Sequence, residues 1–299
     1  MPEGLITKAL SGYYYVRDGD QLVQCRGRGI LKNRGQSPLV GDRVVYSMTD
    51  NGEGSVEQIL PRDSELIRPQ IANADLAVLV FSVIRPELSL TLLDKFLVHT
   101  EHARMDALLV FTKMDRIPEG EEGARIRGDV ESARDLYASL GYEVLLTSAH
   151  EGEGIDALRE ALAGHINVFA GQSGVGKSSL LNALIPGLTL ETNEISVKLG
   201  RGKHTTRHVE LVALPSGGYL ADTPGFSQLD FAELGIDQIG SCFREFRALS
   251  SGCKFRGCTH IHEPSCAVLE AKERGEIAGS RYNNYMNFMT EWKETRRRY

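Results

Sequence analysis

Residues 108–118, LLVFTKMDRIP, read as a buried apolar strand running into a polar loop. The loop carries Thr112-Lys113-Met114-Asp115, which has the shape of a guanine-reading turn. A carboxylate accepts two hydrogen bonds side by side, and guanine offers two such donors, N1–H and the 2-amino group. Adenine has an acceptor at N1 and nothing at C2, so it would leave a buried Asp115 unsatisfied. Lys113 can lay its stem over the base. Thr112 stands where many guanine-binding loops have Asn, so the internal hydrogen bonding of this loop does not follow from its spacing. Downstream, Thr147-Ser148-Ala149 follows another strand and suits a second base-contacting loop.

About sixty residues after the first loop lies Gly171-Gln172-Ser173-Gly174-Val175-Gly176-Lys177-Ser178-Ser179, a full match to the phosphate-binding pattern. Its glycines let backbone N–H groups turn toward phosphate oxygens. Lys177 supplies a charge at the β/γ-phosphates, and Ser178 a hydroxyl for Mg²⁺. A strand (Ile166–Phe169) precedes the loop, and a helix (Lys177–Leu184) opens from it, with an N-terminus that favours anions. Further on, Asp222-Thr-Pro-Gly225 follows a strand. Asp222 there can hold a Mg²⁺-bound water, and Gly225 can offer its N–H to the γ-phosphate. Between them, Gly200–Arg207 is a glycine-rich polar loop in which Thr205 or Thr206 could complete the Mg²⁺ shell. The order of base loop, second base loop, phosphate loop and Asp222 is a rotation of the usual one. Re-threading is allowed physically, because the termini of a closed domain often lie close together.

The rest of the chain frames this domain. Residues 1–68 hold short alternating segments (Tyr13–Arg17, Gln21–Cys25, Arg43–Ser47, Ser55–Ile59) between turns. Five or so strands in that length suit a small closed barrel, with an OB-fold leading and an SH3-like barrel as the alternative. From residue 69 the texture changes to alternating strands and helices: Leu76–Val83, Leu90–Arg104, Ala107–Phe111, Gly123–Leu140, Glu143–Leu146, Ile155–Ala163 and Ile166–Phe169. That pattern predicts a doubly wound sheet over 69–232. His208–Leu214 and Gly218–Ala221 read as an antiparallel hairpin. Residues 233–299 read as mostly helical.

These motifs together resemble the RsgA family, circularly permuted GTPases that act on the small ribosomal subunit. The likeness covers nearly the whole chain and rests on Gly171–Ser179, Gly200–Arg207 and Asp222–Phe226. It implies a multidomain α/β protein: an OB-fold RNA-binding domain, a permuted P-loop GTPase core and a C-terminal zinc-binding domain. It further implies hydrolysis of GTP to GDP in late assembly of the small (30S) subunit, with rRNA as a partner.

The cysteines fit that picture. Three of the five fall in Cys253-x4-Cys258-x-His260-x5-Cys266, a Cys₃His set suited to one closed structural Zn²⁺ site. By spacing alone His262 competes with His260, and the resemblance favours His260. Cys25 and Cys242 read as core residues. The helix over 280–299 carries Tyr, Met, Trp292 and terminal arginines. Such a face suits either RNA or packing on its own domain, and the resemblance points to RNA.

Catalysis should fall to Lys177 and a water-orienting group. The residue after Gly225 is Phe226, which cannot hydrogen-bond to water, so His204 is the candidate. Two rival readings are a P-loop ATPase or kinase, against which Asp115 argues, and a non-hydrolysing RNA-binding scaffold, against which Lys177, Ser178 and Asp222 argue. A net charge of −6 with a pI near 5.8 argues against wholesale nucleic-acid binding but leaves a local basic patch at Arg26, Arg28, Lys32 and Arg34. No apolar run is long enough to span a bilayer, and the N-terminus lacks an export signal, so a cytoplasmic monomer with no membrane contact is expected.

Overall fold

The structure is a computed structural model and describes residues 1–28, 37–66, 70–185, 187, 209–222, 229, 231 and 234–297. Five strands form the N-terminal part: β1 (Glu3–Leu10), β2 (Tyr13–Asp18), β3 (Gln21–Gly27), β4 (Arg43–Met48) and β5 (Gly54–Ile59). They pair in the order β1-β2-β3-β5-β4, and β4 returns to β1. All these pairs are antiparallel except β3 with β5. This closed five-stranded barrel is the OB arrangement, and closure leaves no long free edge. Ile6, Val16, Cys25, Val44 and Val56 fill its interior and are fully buried. β1, which the turn-bounded segments of the sequence reading did not include, has a second role described below.

After two short paired strands, β6 (Glu65–Leu66) and β7 (Ile71–Ala72), the doubly wound layer begins. Its strands are β8 (Leu76–Ser82), β9 (Asp106–Thr112), β10 (Glu143–Leu146), β11 (Ile166–Ala170), β12 (Glu210–Ala213) and β13 (Tyr219–Asp222). Every residue of β8 is buried, as expected of a strand covered on both faces. The order across the sheet is β10-β9-β8-β11-β13-β12, parallel throughout except for the β12–β13 hairpin. Helices α1 (Leu90–His102), α2 (Glu121–Ser139), α3 (Ile155–Ala161) and α4 (Lys177–Leu184) connect these strands. The chain runs outward from β8 to the β10 edge and then crosses back, so that β11 lies between β8 and β13. That crossing is the structural form of the rotated motif order. On the other side, β12 pairs with β1 through Lys8 and Glu210, whose side chains also form an ion pair at 3.1 Å. Barrel and central layer thus share one continuous sheet.

The C-terminal part is helical: α5 (Ile236–Ser241), α6 (Arg244–Leu249), α7 (Ala267–Glu273) and α8 (Gly279–Arg297). Its core gathers Phe231, Phe243, Phe246, Tyr285, Phe288 and Met289. It is joined to α1 and α2 by a buried polar cluster. Arg281 Nη1 donates to Asp94 Oδ1 at 2.6 Å, while its Nε and Nη2 donate to the two Glu245 oxygens at 2.7 and 3.0 Å. Tyr137 and Asn284 also donate to Asp94, each at 2.6 Å. Arg281 is 1% exposed and Asp94 0%, so such charges persist only because every one has partners.

Candidate functional site

The phosphate loop leaves the C-terminal end of β11, the Thr112–Asp115 loop that of β9, the Ser148 loop that of β10, and Asp222 closes β13. Because these strands are parallel, all four segments emerge on one edge of the sheet, where open α/β sheets bind ligands.

Local chemistry shapes each loop. Gly171 has φ +146°, and a Cβ on it would lie 2.2 Å from the Val80 carbonyl oxygen, so no side chain fits where the loop crosses β8. Gly176 caps α4 in the left-handed region (φ 102°). Val175 and Ser178 are buried, whereas Gln172, Ser173 and Gly174 are exposed at the rim, and Ser179 is half-buried. Lys177 Nζ donates to the carbonyls of Gly171 and Gln172, each at 2.6 Å. Burial pushes its pKa down to about 8.

The base loop is fastened to the phosphate loop by Thr112, whose role did not follow from spacing, and by Lys113. Thr112 is buried, and its Oγ1 donates to the Val175 carbonyl at 2.5 Å. Lys113, in the left-handed region (φ 66°), sends Nζ to the carbonyls of Gly174 at 2.6 Å and Arg85 at 2.5 Å. A hydroxyl can therefore do the tethering expected of an Asn amide at position 112. Removing it leaves a buried carbonyl without its donor, a loss of about 1–3 kcal/mol. Thr112→Val, which keeps the volume, should lower the unfolding free energy by about that amount in urea titrations, without loss of the fold.

The second base loop closes on the first. Ser148 Oγ donates to Asp115 Oδ1 at 2.7 Å, and Met114 N–H donates to the Thr147 carbonyl at 3.3 Å. The half-buried Asp115 carboxylate is thus oriented from behind by a fully buried serine, with half-buried Ala149 beside it. Asp222 has its backbone at the end of β13. His204, Thr205, Thr206 and Gly225 lie outside the described residues, as do Lys32 and Arg34 of the basic patch.

Against this geometry, comparison with known proteins is decisive. A family model described as RsgA GTPase matches residues 59–232, and one described as RsgA N-terminal domain matches residues 3–56. The chain belongs to the RsgA family. It is 50% identical over 299 residues, all of both chains, to "Small ribosomal subunit biogenesis GTPase RsgA" from Geobacillus thermodenitrificans. It is 51% identical to the protein of that name from Halalkalibacterium halodurans, covering 100% of this chain and 99% of the relative. The crystal structure of YloQ, described as a circularly permuted GTPase, superposes with a TM-score of 0.85 at 42% identity, covering 99% of this chain and 96% of that one. YjeQ from Thermotoga maritima gives 0.85 at 37% identity, covering 97% and 98%. The RsgA resemblance and the permuted, three-part architecture inferred from the motifs both hold.

In the C-terminal region Cys253, Cys258, His260 and Cys266 bring their ligand atoms within 4.8 Å of one another. Tetrahedral Zn²⁺ with bonds of about 2.0–2.3 Å needs ligand atoms roughly 3.3–3.8 Å apart. Here His260 Nδ1 lies 3.3 Å from Cys266 Sγ and 3.6 Å from Cys253 Sγ, and the Cys253 and Cys266 sulfurs are 3.9 Å apart. The donor set fits zinc. His262 is exposed and outside the cluster. Three supports were not legible from the ligand spacing. The Glu263 carboxylate accepts from the backbone N–H groups of Thr259, Ile261 and His262. Tyr282 OH donates to the His260 carbonyl at 2.8 Å, and Tyr285 OH donates to that of Thr259. Tyr282, Tyr285, Phe288 and Met289 are therefore buried packing residues of α8, not a nucleic-acid face.

Proposed function

We propose that this RsgA-family chain binds GTP with Mg²⁺, hydrolyses it to GDP and phosphate, and acts in late assembly of the small ribosomal subunit, docking on its rRNA. The observation that carries the reading is the two-point fastening of the guanine loop to the phosphate loop by Thr112 and Lys113. It sets base and phosphate recognition in one fixed relation. In this reading Gly171–Ser179 cradles the phosphates, and Lys177 balances charge that grows on the γ-phosphoryl oxygens. Asp115 reads guanine N1–H and N2–H, with Ser148 and Ala149 lining the base. Ser178, Asp222 and one of Thr205 or Thr206 hold Mg²⁺, which when bound neutralises phosphate charge. Gly225 meets the γ-phosphate. A P-loop ATPase or kinase would have no use for the Asp115–Ser148 pair, and a scaffold would have none for Lys177.

The domains are taken as 1–68, 69–232 and 233–299, with zinc holding the last together. rRNA would meet the solvent face of the barrel, where Arg26 lies 4.7 Å over the Tyr13 ring and Lys8 lies 5.9 Å over Tyr15. Such aromatic and cationic pairs suit stacked bases. No helix among the described residues is long and apolar enough to cross a membrane.

Two expected results test parts of this reading. Phosphates beside Lys177 should restore its ammonium, whose free pKa is about 8. Binding of GTP should then take up a proton above pH 8 and none well below it. Calorimetry at pH 9 in two buffers of different ionisation enthalpy checks the sign, and proton release would contradict it. His204→Ala should keep GTP binding and subunit association but lose about 10²-fold or more of the subunit-stimulated rate, the usual contribution of a positioned proton acceptor. An unchanged stimulated rate would assign the water-orienting role elsewhere.

A further inference from the structure

Phe231 lies nine residues beyond Asp222 in the chain and is 1% exposed. Its ring is held from two sides. On α1, His99 stacks on it with centroids 5.4 Å apart and planes within 1°, and Lys95 Nζ lies 4.9 Å over its face. On α8, Phe288 meets it at 5.2 Å. The same α8 stretch grips its surroundings: Lys95 Nζ donates to Glu291 Oε1 at 2.6 Å, and Trp292 Nε1 donates to the Leu234 carbonyl at 2.7 Å. One buried aromatic therefore fills the seam between a helix of the nucleotide layer and the longest helix of the C-terminal region. It is covalently continuous with the Asp222 motif.

The Arg281 cluster joins the same two helices but draws its partners from Asp94, Glu245 and their neighbours. The nearest of those partners along the chain after Asp222 is Glu245, 23 residues on, whereas Phe231 follows it by nine. In GTPases the residues after that aspartate respond to the γ-phosphate.

We propose that Phe231 is a positioning residue that couples the nucleotide site to the C-terminal helical region. The state of the nucleotide biases how α8 sits on α1, and a particle docked on the C-terminal region acts back on hydrolysis by the same route. Coupling between two sites is reciprocal for binding free energies, so each direction predicts the other. The proposal rests on the GTPase and small-subunit reading above.

The test uses full-length parent, Phe231→Ala and Lys95→Met with purified small subunits. Subunit affinity is measured with a non-hydrolysable GTP analogue and with GDP, and kcat and KM for GTP with and without subunits. In the parent the two affinities should differ by roughly 5- to 150-fold, the usual span of such couplings. In Phe231→Ala the ratio should fall to about one and the stimulated kcat should drop toward the basal value, with basal kcat and KM unchanged. A residue that only packs would lower the melting temperature and leave the ratio alone. Should Phe231→Ala fail to fold, Lys95→Met decides: it removes one half-buried ammonium and should reduce the ratio. A parental ratio and stimulated kcat in the folded variants overturn the proposal alone. A parent with neither nucleotide-dependent affinity nor stimulation overturns it together with the functional reading.

Discussion

Asp115→Asn should exchange guanine for xanthine specificity. The carboxylate is held by Ser148 through Oδ1, so an asparagine can keep that bond with its own oxygen. It then presents an amide donor where guanine's 2-amino group also donates. Xanthosine triphosphate carries a carbonyl at C2 and accepts from that amide. Sites built to hydrogen-bond a ligand reject the mismatched analogue by about 10⁴–10⁵. The ratio of GTP to xanthosine triphosphate affinity should move by about that much, read from competition binding against a fluorescent nucleotide. Lys113 and Thr112 fasten the loop independently, so the fold should be kept. If Asp115→Asn binds GTP as tightly as the parent, the Thr112–Asp115 loop does not read the base.

Loss of zinc should unfold the chain beyond about residue 240. Structural Zn²⁺ sites contribute roughly 10–16 kcal/mol of binding free energy, which acts as folding free energy. The sequence between the ligands has few other means of cohesion. Glu263 gathers three backbone N–H groups, and two tyrosines hold the carbonyls of Thr259 and His260. All of these depend on the turn being wrapped. Cys266→Ala, or a strong chelator, should expose the amides of α7 and α8 to hydrogen exchange while GTP still binds to the sheet edge. Some loosening of α1 should accompany this, because Asp94 would lose Arg281 and Asn284. Freshly purified protein without zinc by elemental analysis would contradict the account.

How much of this was legible depended on whether the signal was local. The phosphate loop, the Thr112–Asp115 turn and the cysteine spacing are short motifs whose chemistry is carried by adjacent residues, so they could be picked out as candidates from residue types, spacing and their order along the chain. The parallel strands were legible because burial on both faces writes a continuous apolar run, as in Leu76–Ser82. What failed to show was long-range. The replacement of Asn by Thr112 made sense only once Val175, 63 residues away, was seen to accept its hydroxyl. The aromatics of α8 read equally as a nucleic-acid face or as core, because composition does not say which side of a helix is covered. β1 was missed because it lacks the turn-bounded alternation of its neighbours, yet it is the strand that joins the barrel to β12. The seam around Phe231 draws on three segments far apart in sequence, and no local pattern marks it.

The central claim is that one sheet edge holds a guanine nucleotide whose hydrolysis answers to the small ribosomal subunit. Phosphate release measured with GTP and with ATP, each with and without purified small subunits, tests it most directly. The account predicts slow release from GTP alone, a rise on the order of 10²-fold or more with subunits, and no release above background from ATP in either case. Equal turnover of ATP and GTP, or a GTP rate that subunits leave unchanged, would contradict it.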